Sequence, residues 1–406
     1  MAATKEGVWD LQEARDKQLQ SEWDYSAPGD PASMWALGGD NVYGALGQND
    51  RTQRSSPVQI GTDVGWDQMQ QGDAAAQYMS YAIKEGALWA WGRNDYGELG
   101  QNDRTTRSSP TQVGTETTWT CVAEAQDGSV LATKSDNTLW AWGFSGYGQA
   151  GQGTTDDHRS SPTQVPGQDG ATWKATPGKK ADLADRPISC GYGSVYAIGT
   201  NGQLYAWGAN GSGQLGQSSK TSRNAPTEVT DATTWKSVSG GHSWAMATKT
   251  DGTLWALGGY NPSGQLGQNN RTEYSSPRLI GTETTWTRIY ANRYNGNAFK
   301  SDGTLWVWGA NTGGGNGQNL PTNSHRSSPV QLPAGTGLTW DAYSIGDDGA
   351  RTATKSDGTL WGWGYNGYGQ LGLNDRTDRS SPMQVGTDTN WVDTTSSRTR
   401  GFGFKN

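Results

Sequence analysis

The feature that most constrains this chain is a short aromatic motif that recurs seven times. The motif Trp-x-[Trp/Leu]-Gly starts at Trp35, Trp89, Trp140, Trp255, Trp306 and Trp361, and a seventh copy reads Tyr205-Ala-Trp-Gly208. Successive copies begin 50 to 65 residues apart, and each is followed by a glycine-rich turn, a polar loop and, in most copies, a Ser-Ser-Pro-x-Gln segment. Repetition at this period indicates one supersecondary unit used seven times.

Each repeated unit reads as four short β-strands. In the unit at 235–259, small or apolar residues alternate with polar ones, and Thr-Asp-Gly at 250–252 predicts a hairpin turn. A four-stranded unit cannot bury both of its faces alone, whereas seven units closed into a ring leave few open edges. With 59 Gly, 21 Trp and only 32% hydrophobic residues, the core must be packed largely by aromatic rings. The fold class predicted is all-β, a seven-bladed β-propeller of four-stranded blades.

The two ends of the repeated region predict how the ring closes. The last unit begins at Trp391 and stops at Lys405-Asn406, where a second strand would turn into a third. The first unit begins at Ser33 with a third strand. We therefore expect one blade to be closed by N- and C-terminal strands, in a propeller that spans 33–406.

These repeats resemble the regulator of chromosome condensation repeat, whose units carry Trp-x-Trp-Gly-x-Asn, Gly-Gln-Leu-Gly, Pro-x-x-Val and Gly-x-x-His. The resemblance covers all seven units and implies a seven-bladed propeller. It implies little about function, because that family includes exchange factors, photoreceptors and enzyme inhibitors. Of the Gly-x-x-His positions only the one ending at His242 is filled, and the Gly-Trp-Arg-His-Thr repeat of the plant photoreceptor is absent. Most tryptophans are therefore interpreted as packing between blades.

Motifs that suggest enzymatic or cofactor chemistry have a structural interpretation here. Gly-x-Gly-x-x-Gly occurs at 146–151, 211–216 and 367–372, but each copy follows a strand and leads into a polar loop, so we interpret them as tight turns. His158, His242 and His325 fall in different units and, by our reading, at different repeat positions, which indicates neither a metal cluster nor a catalytic pair. We predict that the protein is not an enzyme and uses no cofactor.

Charge and hydropathy exclude two classes of partner. The formal net charge is −7 and the Lys and Arg residues form no basic run, which argues against a nucleic-acid partner. No window is apolar enough for a membrane span, and the N-terminus lacks a signal-peptide core. Cys121 and Cys190 are predicted to be free thiols.

Two groups of polar residues are candidates for binding. Loops of the type Gln-Asn-Asp-Arg are predicted to lie on one rim of the ring, where their side chains suit hydroxyl-rich or charged ligands. Their candidate residues, hereafter the rim residues, are Asn49, Asp50, Arg51, Asn102, Asp103, Arg104, Asn374, Asp375 and Arg376. The alternative is that Asn and Asp stabilise their own turns. The second group is an insertion at 176–187 with the charged residues Lys179, Lys180 and Arg186, which is either a recognition loop or a tolerated insertion.

The leader at 1–25 is the one segment without a repeated counterpart. Asp10 and Glu13 have the spacing of a capping box, so we expect a short helix from Leu11, followed by a linker at 26–32. Because the ring closes without it, we interpret the leader as an anchor, with Val8, Trp9 and Leu11 as its contacts. It also resembles the Gly-Val-Trp-x-Leu openings of virion proteins in tailed phages.

The leading functional hypothesis is therefore a non-enzymatic phage virion structural protein, either a tail fibre or adhesin or a decoration component. Its partners would be other virion proteins at the leader and a host-surface glycan or protein at the propeller, with no nucleic acid and no membrane insertion; self-association into a homo-oligomer is left open. Its location would be the virion, reached without a signal peptide from the host cytoplasm. The alternative is a bacterial protein–protein interaction scaffold in the cytoplasm. A guanine-nucleotide exchange-type regulator ranks third.

Overall fold

The computed structural model describes residues 33–63, 65–69, 78–125, 127–168, 170, 172–175, 185–230, 232–346, 349–396 and 400–405. The described strands begin with β1 (Ser33–Gly39) and β2 (Val58–Gln59). Blades 1 to 3 follow as β3 (Trp66–Met69), β4 (Met79–Lys84), β5 (Ala87–Gly92) and β6 (Arg107–Gln112); β7 (Trp119–Glu124), β8 (Ser129–Lys134), β9 (Leu139–Gly143) and β10 (Arg159–Val165); β11 (Ile188–Cys190), β12 (Ser194–Ile198), β13 (Leu204–Gly208) and β14 (Arg223–Glu228).

Blades 4 to 6 have the same order of elements. They are β15 (Trp235–Gly240), β16 (Ala245–Lys249), β17 (Leu254–Leu257) and β18 (Arg278–Leu279); β19 (Trp286–Ala291), β20 (Asn295–Lys300), β21 (Leu305–Gly309) and β22 (Arg326–Leu332); β23 (Trp340–Ile345), β24 (Arg351–Lys355), β25 (Leu360–Gly364) and β26 (Arg379–Gln384). The chain then continues into β27 (Trp391–Ser396) and β28 (Arg400–Lys405). Within the described residues the only helical element is the 3-10 turn Thr312–Gly314.

The strands form seven antiparallel four-stranded sheets, as the repeats predict. In blades 1 to 6 the strands pair in chain order, and the first strands of neighbouring blades contact one another, so the first strand of each blade is innermost. The predicted seven-bladed β-propeller is confirmed. The predicted helix of the leader and the linker lie outside the described residues.

The seventh blade, hereafter the clasp blade, is assembled from both ends of the repeated region. Its strand order is β27, β28, β1, β2, and β1 pairs with β28 from Ser33 opposite Lys405 to Gly39 opposite Arg400. The Ser33 hydroxyl also donates a hydrogen bond to the Lys405 carbonyl at 3.3 Å. This confirms that N- and C-terminal strands close the ring.

The hydrophobic core is divided into seven clusters, one at each junction between blades. Trp142 shows how the second aromatic residue of the repeated motif holds a junction. Its side chain is buried, and its indole N–H donates to the carbonyl of Glu98 in the preceding blade at 2.6 Å. The same bond joins Trp91 to Ala45 and Trp207 to Gln149. Packing between blades is thus confirmed as the role of these tryptophans.

The Gly-x-Gly-x-x-Gly stretches are turns, as predicted. In the stretch at 146–151, Gly148 has φ 83° and Gly151 has φ 68°, a region that residues with a Cβ rarely adopt. A Cβ on Gly151 would also lie 3.1 Å from the indole nitrogen of Trp207 in the next blade. These glycines therefore let each turn pass close to the neighbouring blade.

Candidate interaction face

Along the chain, successive connections between strands lie on opposite sides of the ring. The connection between the first and second strands and the long one between the third and fourth strands lie on one side, hereafter the loop face. The connections between the second and third strands and between blades lie on the other side, because neighbouring strands are antiparallel. The loop face therefore carries most of the irregular chain of the propeller.

Aromatic side chains from neighbouring blades meet in pairs across the loop face. Tyr192 of blade 3 stacks on His242 of blade 4, with ring centroids 4.5 Å apart and planes within 7°. Other contacts have centroid distances of 4.9 to 6.1 Å and join Tyr43 with Tyr78, Tyr96 with Phe144 and His158, and Tyr260 with Tyr294. Four blade junctions therefore present a pair of rings on the same side of the molecule.

The loop face also exposes aromatic rings, and arginine lies beside two of the paired ones. Tyr192 is 38% exposed, and Tyr147, which contacts Phe144 of its own blade, is 45% exposed. The guanidinium of Arg93 lies 5.5 Å from the ring of Tyr78, and that of Arg293 lies 5.0 Å from the ring of Tyr294. Tyrosine and arginine are enriched where proteins bind one another, because they combine large contact area with polar groups.

His242 is held in its neutral form on this face. Burial, together with the smaller effect of the nearby charge of Arg293, lowers the pKa of His242 to about 4. Its Nδ1 lies 2.9 Å from the hydroxyl of Ser243. At neutral pH the stack with Tyr192 is therefore an uncharged aromatic surface.

The other two histidines have a structural role that the sequence did not reveal. The Nδ1 of His158 accepts the backbone N–H of Ser145 at 3.1 Å, and the Nδ1 of His325 accepts that of Asn311 at 3.2 Å. Both histidines stand just before the fourth strand of their blade. The prediction that all three histidines fall at different repeat positions was therefore wrong for this pair. The sequence did not show that His158 and His325 are equivalent, because blade 3 has Ser222 rather than histidine at this position.

The long loops of this face are fixed from within by an asparagine. In blade 1 the carboxamide of Asn94 accepts the backbone N–H of Leu99 at 2.9 Å and donates to the carbonyls of Asp103 and Thr105. Equivalent bonds are made by Asn41, Asn210, Asn261, Asn311 and Asn366. Loops ordered in this way lose little conformational entropy when they bind a partner.

The rim residues lie in the long loops of three consecutive blades, namely blade 6, the clasp blade and blade 1. Their aspartates are engaged within the loop: Asp103 accepts a bidentate ion pair from Arg107 at 2.8 Å, and this hydrogen bonding lowers its pKa to about 2. Asp50 pairs with Arg54 in the same bidentate way, whereas Asp375 pairs with Arg379 through one guanidinium nitrogen. The remaining rim residues Asn49, Asn102, Asn374, Arg51, Arg104 and Arg376 are exposed. Binding by the rim residues stays a prediction.

The remaining predicted sites are only partly described. Arg186 is buried, 6% exposed, and its backbone bonds to Ser237 and Val238 of the next blade, so its side chain is not displayed at the surface. Lys179 and Lys180 lie outside the described residues, as do the anchor contacts Val8, Trp9 and Leu11 of the leader. The recognition role of the insertion stays a prediction.

The aromatic pairs of the loop face were not predicted from the sequence, although a signal exists. Tyrosine recurs two residues after the loop-fixing position in Asn41-Val-Tyr43, Asn94-Asp-Tyr96, Ser145-Gly-Tyr147 and Asn366-Gly-Tyr368. Of these tyrosines, Tyr43 and Tyr96 belong to the pairs. Other members, such as Tyr192, His242 and Tyr294, follow the innermost strand of their blade. Sequence spacing alone does not show which of these positions meet across a junction.

Within the described part of the chain, no group of three or more His, Cys, Asp and Glu residues could hold a metal ion. Cys121 and Cys190 are buried thiols that form no disulfide bond among the described residues. None of the helices described is long and apolar enough to span a membrane.

Comparison with a family model identifies four of the repeats. The regulator of chromosome condensation (RCC1) repeat matches at residues 85–131, 136–176, 201–248 and 357–398. These segments lie in blades 1, 2, 3, 4 and 6 and in β27 of the clasp blade.

Two curated proteins of other organisms align with most of the propeller. The ultraviolet-B receptor UVR8 of Arabidopsis thaliana is 28% identical over 332 residues, which are 77% of this chain and 68% of the receptor. Protein RCC2 homolog of Danio rerio is 24% identical over 332 residues, 73% of this chain and 62% of that protein.

Solved structures share the fold at lower sequence identity. Human WBSCR16 superimposes with a TM-score of 0.76 and 17% identity, covering 92% of this chain and 99% of that chain. Yeast RCC1 (Prp20), solved bound to Kap60, also gives a TM-score of 0.76 and 17% identity, with 92% and 89% coverage. The chain is therefore a seven-bladed β-propeller in which four segments match the regulator of chromosome condensation repeat, and these solved structures share its fold.

Proposed function

We propose that this protein is a non-enzymatic binding protein that holds a protein partner on the loop face of its propeller. The observation that carries the proposal is the set of aromatic pairs on that face, in which Tyr192 is well exposed and arginines lie beside the rings of Tyr78 and Tyr294. Rings held by preordered loops lose little entropy on binding and bury large areas. Structures of similar fold support the class of partner, since yeast Prp20 binds Kap60, Gsp1p and histones.

The test exploits a close match in exposure between two pairs of residues. Tyr147 and Tyr192 on the loop face are 45% and 38% exposed, and Met383 and Leu279 on the outermost strands β26 and β18 are 45% and 38% exposed. Each pair is changed to alanine in a double variant, so that large side chains of matched fractional exposure are removed at each place. Neither change opens the core.

Partners are first enriched from the source cells on immobilised wild-type protein, and the Kd of each purified partner is then measured by calorimetry. Because a few exposed aromatic anchors dominate most interfaces, the Tyr147→Ala/Tyr192→Ala variant should weaken binding by about tenfold or more. The Leu279→Ala/Met383→Ala variant should bind as the wild type does. Loss of binding in the second variant alone would refute the loop face as the site.

The finer hypothesis places this binding protein on a phage particle, attached through the leader at 1–25. Its support is the sequence of the leader, with Val8, Trp9 and Leu11 as contacts. Mass spectrometry of purified particles tests it, with a variant lacking 1–25 as the comparison. The hypothesis expects the full chain on particles and the shortened chain in the unbound fraction; incorporation of both chains would refute the anchor.

The exchange-type regulator remains the weaker candidate. It is supported by the relation to yeast RCC1 at the level of fold, whereas the net charge of −7 and the single filled Gly-x-x-His position do not favour it. A nucleotide-release assay with a small GTPase separates it from a binding role without exchange.

A further inference from the structure

We infer that three equivalent pockets at consecutive blade junctions bind neutral pyranose units of a glycan. They lie between blade 6 and the clasp blade, between the clasp blade and blade 1, and between blades 1 and 2, with volumes of about 570, 380 and 530 Å³. Volumes in this range are typical of small-molecule sites. The inference is independent of protein binding on the loop face, because these junction pockets are lined by other residues.

Each junction pocket has apolar walls made by the blade that follows it. The walls are a half-buried indole of the third strand and a proline in or just before the fourth strand: Trp35 with Pro57, Trp89 with Pro110, and Trp140 with Pro162. A pyranose ring presents C–H groups on one side and hydroxyl groups at its edge. An indole suits the C–H side because it offers a broad apolar ring surface.

Each junction pocket also contains an asparagine that the loop does not use. Asn49, Asn102 and Asn374 have φ of 56°, 59° and 59°, and their backbone N–H groups donate to a serine carbonyl in or just before the fourth strand of the next blade. Their carboxamides are exposed and make no hydrogen bond among the described residues. A carboxamide both donates and accepts, which matches a pair of neighbouring sugar hydroxyls.

The charges of the junction pockets are already paired. The segment Gly-Thr-Asp or Gly-Thr-Glu lines each pocket, and its carboxylate binds a lysine, as in Lys84 with Asp63 at 3.2 Å and Lys134 with Glu116 at 2.5 Å. The third pair is Lys405 with Asp388. Paired charges favour neither an anion nor a cation, so the ligand that fits is neutral.

The junction between blades 5 and 6 provides an internal comparison. Its cavity, of about 360 Å³, is lined by Leu332, Pro333 and Leu338 and by neither an asparagine nor a third-strand indole. The equivalent Asn319 instead accepts a hydrogen bond from the hydroxyl of Ser380 at 3.1 Å. We expect no sugar to bind at this junction.

The experiment removes the carboxamides without straining the backbone. Glycine tolerates the positive φ of these positions, so the triple variant Asn49→Gly/Asn102→Gly/Asn374→Gly should keep the fold, which a thermal melt checks. Asn319→Gly, at φ 53°, is the matched control. Binding is followed by saturation-transfer difference NMR with the methyl glycosides of glucose, galactose, mannose, fucose and N-acetylglucosamine.

At least one glycoside should give ring C–H signals with the wild type, at a Kd on the order of 1 mM for one site. Those signals should fall at least fivefold in the triple variant and stay unchanged in Asn319→Gly. On a surface coated with the same sugar, three sites should bind more tightly than one, because they bind together. The inference would be overturned if none of the five glycosides gave a signal at a concentration about 20-fold above the expected Kd. Unchanged signals in the triple variant would overturn it as well.

Discussion

Replacing Trp142 by phenylalanine tests how a single hydrogen bond holds two blades together. Trp142 is 2% exposed at the junction of blades 1 and 2, and its N–H donates to the Glu98 carbonyl at 2.6 Å. Phenylalanine keeps one ring, removes that donor and leaves a small cavity. An unsatisfied buried carbonyl costs about 1–3 kcal/mol and the cavity about 1 kcal/mol more, so Trp142→Phe should lower the free energy of unfolding by about 2–4 kcal/mol.

The assay is urea unfolding followed by far-UV circular dichroism, with Trp140→Phe as the matched control. Trp140 is half-buried, and its N–H donates at 2.8 Å to the hydroxyl of Thr138 in its own blade. Water can replace that partner, so the control should lose no more than about 1 kcal/mol. Equal losses in the two variants would refute the idea that the bond between blades is what Trp142 contributes.

Three further predictions concern ionisable side chains. Asp103→Asn should lower the free energy of unfolding by at most about 1 kcal/mol at pH 7, since the ion pair with Arg107 is partly exposed. Because folding lowers the pKa of Asp103, the difference from wild type in urea titrations should shrink as the pH falls from 3.8 to about 2. A difference that stays constant over this range would contradict the prediction. The ring of His242 should titrate at about 4 in NMR spectra. Because the unfolded state binds the proton more tightly, the free energy of unfolding should fall as the pH falls from 6.5 to about 4. A midpoint near 6.5 would contradict the burial of His242. Lys134→Met should lower the free energy of unfolding by about 1–2 kcal/mol in thermal or urea unfolding, because the ammonium lies 4.6 and 3.7 Å from the centroids of two indole rings. The exposed control Lys220→Met should lower it by under about 0.5 kcal/mol. Equal losses in the two variants would argue against the cation–π contact.

The ring and its closure were predictable because they depend on order along the chain. Spacing between copies of the aromatic motif gave seven units, and the strand at Ser33 and the one ending at Lys405 gave the two halves of the clasp blade. The positive φ of the repeated glycines followed from their place after a strand. These features are local, so a single sequence reveals them.

The candidate site was less predictable because it is formed between units. Tyr192 and His242 stand 50 residues apart in sequence, and only the radial arrangement of blades brings their rings to 4.5 Å. The same holds for the junction pockets, in which Asn102 comes from blade 1 and Trp140 from blade 2. The sequence identified Asn102 as a rim residue but could not show that an indole of another repeat lies beside it.

Site-specific photo-cross-linking tests the central claim, that the loop face binds a protein partner, most directly. A photoreactive benzoylphenylalanine replaces Tyr192 on the loop face or, as the matched control, Leu279 on β18, both 38% exposed. After irradiation with the purified partner, a covalent adduct should form from position 192 and not from position 279. An adduct from position 279 alone would contradict the claim.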